Sequence, residues 1–240
     1  MVPDQQAEFL ESPTSRSVFQ DPTSLANQTR GFLCVSVFAA LMGIQHHARA
    51  YRSFSETGES LASPEVWGFR IFLGLAALIT AVVVSRWIYR ANSNARALGA
   101  AEMAFTPGGA VGWYFVPIAN FWKPYQAMRE IWKANASPSA WQRQRVSALL
   151  PCWWLLTIAA PSTAGWVTWA VRRGMDGIDE GAAEHLGEAV SQGVLIPASL
   201  LLFVIISRVH HMQMMHYRRR RSAGTLPSAE SAAGKVRDGG

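Results

Sequence analysis

Apolar residues along this chain gather into four blocks from which charge is missing. Gly31–Gln45 lies between Arg30 and Arg49, and Ile71–Ser85 between Arg70 and Arg86. Val146–Val171 lies between Arg145 and Arg172, and Ala189–Ser207 between Glu188 and Arg208. A helix needs about 20 mainly apolar residues to cross a bilayer. The last two blocks meet that length outright. The first two have shorter cores and taken singly would also suit buried soluble helices. Their flanks favour the membrane: arginines there reach the interface, and Trp67, Trp87 and Tyr89 supply anchors. The pattern predicts spans at about 31–49, 67–89, 146–171 and 189–209 within a membrane domain covering 30–217. The expected fold class is all-α, an integral membrane four-helix bundle.

The connection between the second and third spans is not an ordinary loop. Residues 105–132 read FTPGGAVGWYFVPIANFWKPYQAMREIW. Ile118, Phe121, Trp122, Tyr125, Met128, Ile131 and Trp132 recur at steps of three and four, which places them on one helical face. Lys123, Gln126, Arg129, Glu130 and Lys133 fall mostly on the other. Such a helix suits the surface of an anionic membrane, with Lys123, Arg129 and Lys133 as its lipid contacts. The preceding stretch Gly109–Trp122 is apolar but too short to cross, so it must be re-entrant, interfacial or tucked against the other helices, and 109–134 is expected as an interfacial or re-entrant segment on the cytoplasmic side. Pro117 fits the first turn of a helix. Pro124 is expected to kink that helix by leaving the Asn120 carbonyl unpaired. Upstream, Gly99 is placed to end the second helix as its C′ residue, and Thr106-Pro107-Gly108-Gly109 signals a turn. Ile178, Ala182, Leu186 and Val190 repeat every four residues, predicting a short outer helix before the last span.

Charge sets the orientation. The chain of 240 residues has a formal net charge of +6 and only 16% charged residues, against about 25% in a soluble domain. The 86–145 connection is strongly basic, and Arg218, Arg219, Arg220 and Arg221 follow the last span. The 172–188 connection mixes two arginines with five acidic residues. Basic loops stay cytoplasmic. This predicts a multi-pass protein of the plasma membrane with both termini inside. Residues 1–29 and 218–240 are expected to be disordered tails, the second basic and able to touch anionic headgroups. The first apolar run starts at Gly31 without a basic region before it, so no cleavable signal is expected. Cys34 and Cys152 both fall within spans and are expected to be small core residues rather than a disulfide framework. The Asn27-Gln28-Thr29 sequon falls on the predicted cytoplasmic side.

The string from 90 to 132 resembles bacterial membrane proteins of the domain-of-unknown-function family 4328. RANSNARALG at 90–99 matches an Asn/Arg/Ala-Leu-Gly element. A Thr-Pro turn and a Gly-Trp-Tyr-Phe-x-Pro-x-x-Asn-x-Trp-x-Pro-Tyr-x-x-Met-x-Glu-x-Trp core follow it. Asn94, Leu98, Gly99, Pro107, Gly112, Trp113, Pro117, Asn120, Pro124, Tyr125, Met128, Glu130 and Trp132 stand at matching places. The resemblance covers roughly residues 30–215 and is strongest over 90–135. Gly109 departs from it, standing where the family has an aromatic residue. The resemblance implies a multi-span membrane protein and implies no activity.

Candidate chemistry is sparse. Asn94, Asn120, Lys123, Gln126, Arg129 and Glu130 form the one polar group that a plain interfacial helix does not need. They read either as a small polar site or as structural partners. In the second reading Asn120 satisfies carbonyls freed by Pro124, and Glu130 pairs with Arg129 or Lys133. Pro107, Gly112, Trp113, Pro117, Pro124, Tyr125 and Trp132 read as the structural part of the motif. His210, His211 and His216 step by one, five and six, which does not put them on one face, and His46 and His47 lie at the other end of the membrane, so no metal is expected. No Asp or Glu lies in a span core, which counts against an ion-coupled transporter. No nucleophile elbow, zinc-protease motif, P-loop or dinucleotide fingerprint occurs. No cofactor, no enzymatic activity and no nucleic-acid partner are expected. The expectation is a scaffold or interaction protein on anionic lipid, able to form homo-oligomers or bind other membrane proteins. The alternatives are a small oligomeric passive channel with 109–124 re-entrant, and a membrane enzyme using Glu130 and Arg129.

Overall fold

The computed structural model of the chain describes residues 18–57, 64–174 and 180–223. Within them the backbone is helical, and no strand occurs among the described residues. The helices are α1 (Thr23–Thr57), α2 (Pro64–Ala97), α3 (Pro107–Gly112), α4 (Lys123–Ala136), α5 (Leu149–Gly174) and α6 (Glu180–Ser222). Three 3₁₀ segments join them, at Trp113–Phe115, Ala119–Phe121 and Pro138–Arg143.

Three helices among the described residues are long and apolar enough to cross a membrane: Thr23–Ser53, Arg70–Ala97 and Gly181–Ser222. Only 28%, 28% and 22% of their most apolar stretches are buried inside the protein, so most of that surface faces outward. Phe38, Ile71, Leu78, Leu155 and Leu200 are all more than half exposed. Water does not tolerate a girdle of this extent, and a bilayer requires it. Helix α5, the third of the four expected spans, falls outside this set. It replaces aliphatic residues with Pro151, Pro161, Ser162, Thr163 and four tryptophans.

The helices run well past the predicted blocks. Helix α6 has 43 residues, about 65 Å at 1.5 Å per residue. It is continuous from Glu180, so the outer helical stretch at Ala182, Leu186 and Val190 leads into the last span as one helix; Ile178 lies outside the described residues. Residues 218–222 are helical rather than tail, while 224–240 and 1–17 lie outside the described residues. At the other terminus, helix starts at Thr23, not near residue 30. Ala26 and Thr29 are fully buried, and the Thr29 hydroxyl donates to the Leu25 carbonyl. The Asn27 sequon is therefore part of a packed helix. The turn before α1 is closed by the Asp21 carboxylate, which accepts from the Thr23 amide and hydroxyl. These bonds hold the Asp21 carboxyl below its usual range. Its contribution is therefore present above the unfolded value of 3.8 and is lost as pH falls below it. Amide exchange in the first turn of α1 should accelerate below about pH 4 in the wild type. In Asp21→Ala it should be fast at every pH, with a loss of about 1 kcal/mol as for other helix-start caps.

Helix α1 packs along both α2 and α6, and α6 also packs along α5. The order across the molecule is therefore α2, α1, α6, α5. The α2–α5 pairing that would close a square bundle does not form along these helices. At one end, where α1 starts and α2 and α6 finish, α4 is wedged against α2, α5 and α6. The main core lies at this terminal end: Trp87, Ile88, Met128, Ile131, Leu150, Ile205, Ile206 and Val209 are all nearly inaccessible. Cys34 and Cys152 are exposed on the helix surfaces, which corrects their expected place in the core.

Helices α5 and α6 approach closely through small residues at steps of four. Ala160, Ala164 and Thr168 face Ala183, Gly187 and Ser191. The Ser191 hydroxyl donates to the Ala160 carbonyl at 2.8 Å. The Thr168 hydroxyl bonds its own helix at Ala164 and reaches the Ala183 carbonyl at 3.3 Å. Small residues let membrane helices come together without a hydrophobic driving force between them.

Candidate functional site

The motif residues build a cap on the terminal end. It begins where α2 stops. Gly99 has φ +91°, its amide donates to the Arg96 carbonyl, and the Ala100 amide donates to the Ala95 carbonyl. This pair of bonds is a Schellman motif, and it needs a residue at home in the left-handed region. The chain then passes along α4 as an irregular segment, with Glu102 at φ 56°, whose polar groups α2 and α4 satisfy from both sides. Glu130, buried on α4, accepts from the Ala104 and Phe105 amides, each at 3.0 Å. The Phe105 carbonyl accepts from Asn92 and Arg96, both at 2.9 Å, and the Met103 carbonyl accepts from Arg96 at 3.0 Å. Asn92 in turn orients Arg96 at 3.1 Å. Asn94 bonds both backbone groups of Gln20, tying the segment before α1 to α2.

Thr106 caps α3 through its hydroxyl, which accepts from the Gly109 amide, with Pro107 in the first turn. A Cβ on Gly109 would lie 2.9 Å from that hydroxyl, so the aromatic residue expected here from the resemblance does not fit this cap as it stands. Past Trp113 the chain turns twice. Ile118 has φ 66° and ψ −56°, and the Ala119 amide donates to the Pro117 carbonyl at 2.7 Å. This is a γ-turn with positive φ, a strained geometry for a β-branched residue. Pro117 thus sits in the turn rather than in a helix. Pro124 lies in the first turn of α4, where its missing donor is not needed. The predicted kink does not exist, and Asn120, exposed, has no break to cap.

The predicted stripe is split between two environments. Met128, Ile131 and Trp132 are buried in the core and Tyr125 is half-buried against it. Ile118, Phe121 and Trp122 precede α4 and are exposed, with Phe115 and Val116 beside them. The Trp154 indole, donating to the Phe121 carbonyl at 2.9 Å, holds this apolar knob to α5. Tyr114 packs edge-on to Trp154; its hydroxyl is buried without a protein partner, and burial pushes the phenol above its usual range.

The basic residues also separate. Lys123 stands over the Phe105 and Trp113 rings at 5.8 and 5.5 Å. Lys133 donates to the Gln142 carbonyl at 2.8 Å. Arg129 is exposed and Gln126 half-exposed; Arg218, Arg219 and Arg221 are exposed at the end of α6, and Arg220 is half-buried near Gly99. Glu130 pairs with neither Arg129 nor Lys133 but with backbone amides. Sequence reading missed Asn92 and Arg96, whose spacing of four toward the helix end was the available signal. No group of three or more metal-ligating side chains exists among the described residues. His216 bonds the Ala136 carbonyl, while His47 pairs with His185 at 3.3 Å, a contact between α1 and α6.

Among the described residues the fold is all-helical, with three helices long and apolar enough to cross a membrane, which defines the chain as a membrane protein. It belongs to the family whose model is described as Domain of unknown function (DUF4328), which matches residues 50–211, more than half of the chain. No curated protein and no solved structure matches it.

Proposed function

We propose that this chain is a non-enzymatic, multi-pass scaffold or interaction protein of the plasma membrane. In this reading α1, α2, α5 and α6 all cross, both termini are cytoplasmic, and the cap rests on anionic lipid. One observation carries the proposal: the motif's polar side chains Asn92, Asn94, Arg96 and Glu130 are taken up by internal hydrogen bonds, and what the cap presents outward is an apolar knob with Asn120 and Arg129 exposed close by in sequence. A catalytic site would gather its polar groups around one reacting position, whereas here the acidic member, Glu130, is buried on backbone amides and Arg129 is exposed. An exposed aromatic cluster followed in the chain by Lys123 and Arg129 suits a headgroup interface.

The test places single cysteines in a Cys34→Ser, Cys152→Ser background. In intact cells an impermeant maleimide should label Gly174→Cys and should reach Ser139→Cys only after the membrane is opened. In reconstituted vesicles a fluorophore at Ile118→Cys should be quenched by nitroxide-labelled lipid, and one at Ser139→Cys much less. Reversed labelling overturns the orientation. An unquenched Ile118 probe overturns the docking of the cap on lipid.

A further inference from the structure

At the hairpin end, opposite the cap, α1, α2, α5 and α6 surround a cavity of about 740 Å³. That lies in the range of ligand pockets. Its charges are sorted by wall. Arg70 stands on α2, and Arg172 and Arg173 close α5; Glu184 and Glu188 stand one turn apart on α6. The His47–His185 pair joins α1 to α6 in the same lining. Arg173 lies over the Trp169 ring at 4.5 Å, a contact that restricts the guanidinium.

The cavity does not stop at the polar wall. Trp169 and Gly165 are shared with an apolar groove of about 530 Å³ on the outer face of α5, completed by Ser162 and Trp166. Gly165 keeps this floor open: nothing lies within 4 Å of where its Cβ would be. Arg70 begins one of the helices long and apolar enough to cross and the two arginines end α5, which crosses in the reading proposed above, so the polar half lies at headgroup depth and the groove runs toward the apolar interior.

We infer that this is a binding site for an aminophospholipid. The arginines of α2 and α5 take the phosphate, Glu184 and Glu188 take the primary ammonium, and an acyl chain lies along Gly165, Trp166 and Trp169. A purely anionic headgroup leaves the two glutamates unanswered, and a quaternary ammonium offers them no N–H donor. A soluble zwitterion such as phosphoethanolamine has the same polar chemistry but leaves the groove unused.

The experiment is native mass spectrometry of the purified full chain in a non-ionic detergent. It is titrated with phosphatidylethanolamine, phosphatidylcholine or phosphatidylglycerol of identical chains, and with phosphoethanolamine. Phosphatidylethanolamine should bind at one site, at least tenfold tighter than the other two lipids. Arg172→Gln with Arg173→Gln should weaken it about tenfold. Glu184→Gln with Glu188→Gln should bring it to the level of phosphatidylglycerol. Gly165→Leu should displace the lipid. Equal affinity for the three lipids in the wild type overturns the proposal without reference to any variant. Phosphoethanolamine competing at matched concentration, with Gly165→Leu silent, overturns the lipid assignment in favour of a soluble ligand. Tighter binding of phosphatidylglycerol overturns the role of the glutamates.

Discussion

Glu130→Ala is expected to cost about 3–5 kcal/mol, the largest loss at any single polar residue of the cap. The carboxylate accepts from two consecutive amides, Ala104 and Phe105. Hydrogen bonds to a charged acceptor each contribute about 1.5–3 kcal/mol, and a buried donor left without a partner adds its own desolvation cost. The neighbouring carbonyls of Met103 and Phe105 stay bound to Arg96 and Asn92, so the segment is held by one edge only. Glu130→Gln retains one acceptor oxygen but turns an N–H₂ group toward a donor, and should lose about half as much. The measurement is thermal unfolding in detergent beside limited proteolysis. Both variants should still insert, because the crossing helices do not depend on this contact, and cleavage should appear first after Arg96. A Glu130→Ala protein that melts with the wild type would mean that water replaces the carboxylate. The cap would then be an accessory rather than part of the fold.

The parts legible in the sequence were those with a local cause. The apolar blocks announced α1, α2 and α6, since length and absence of charge are what a crossing helix needs. Gly99 announced the end of α2, because few other residues accept its backbone geometry. Pro124 was misread because proline mid-helix and proline in a first turn look alike until the helix start is known. That start is set by the γ-turn at Ile118, a strained geometry with no residue preference to betray it. Glu130 was assigned the nearest bases along the chain. Its true partners lie 25 and 26 residues earlier, and backbone amides carry no sequence signature. The stripe from Ile118 to Trp132 was sound as periodicity. Periodicity does not say whether an apolar face meets lipid or protein, and here the answer changes at Lys123. The cavity at the hairpin end joins four helices and was beyond any local reading. His185 and Glu188 stand far in sequence from His47 and Arg70, and only the antiparallel run of α1 against α6 brings them together.

Gly187→Ala is expected to destabilise the protein although alanine is the better helix former. In an exposed helix interior the exchange would gain about 1 kcal/mol. Here a Cβ would fall inside van der Waals contact of the Ala164 carbonyl oxygen and the Thr168 hydroxyl. The hydroxyl can rotate away, but the carbonyl belongs to the α5 backbone and cannot. The helices must therefore separate, which strains the Ser191–Ala160 and Thr168–Ala183 hydrogen bonds together. Overpacking of this kind costs about 1–3 kcal/mol, so against that gain the net change is expected to be a loss of up to about 2 kcal/mol, and Gly187→Leu should lose more. Gly193, six residues along the same helix, has open space where its Cβ would stand. Gly193→Ala should accordingly be neutral or stabilising. Unfolding in detergent of the two alanine variants separates the effects, because both carry the same gain in helix propensity and only one meets α5. If Gly187→Ala melts at or above Gly193→Ala, the close approach of α5 and α6 is not what holds the hairpin end together.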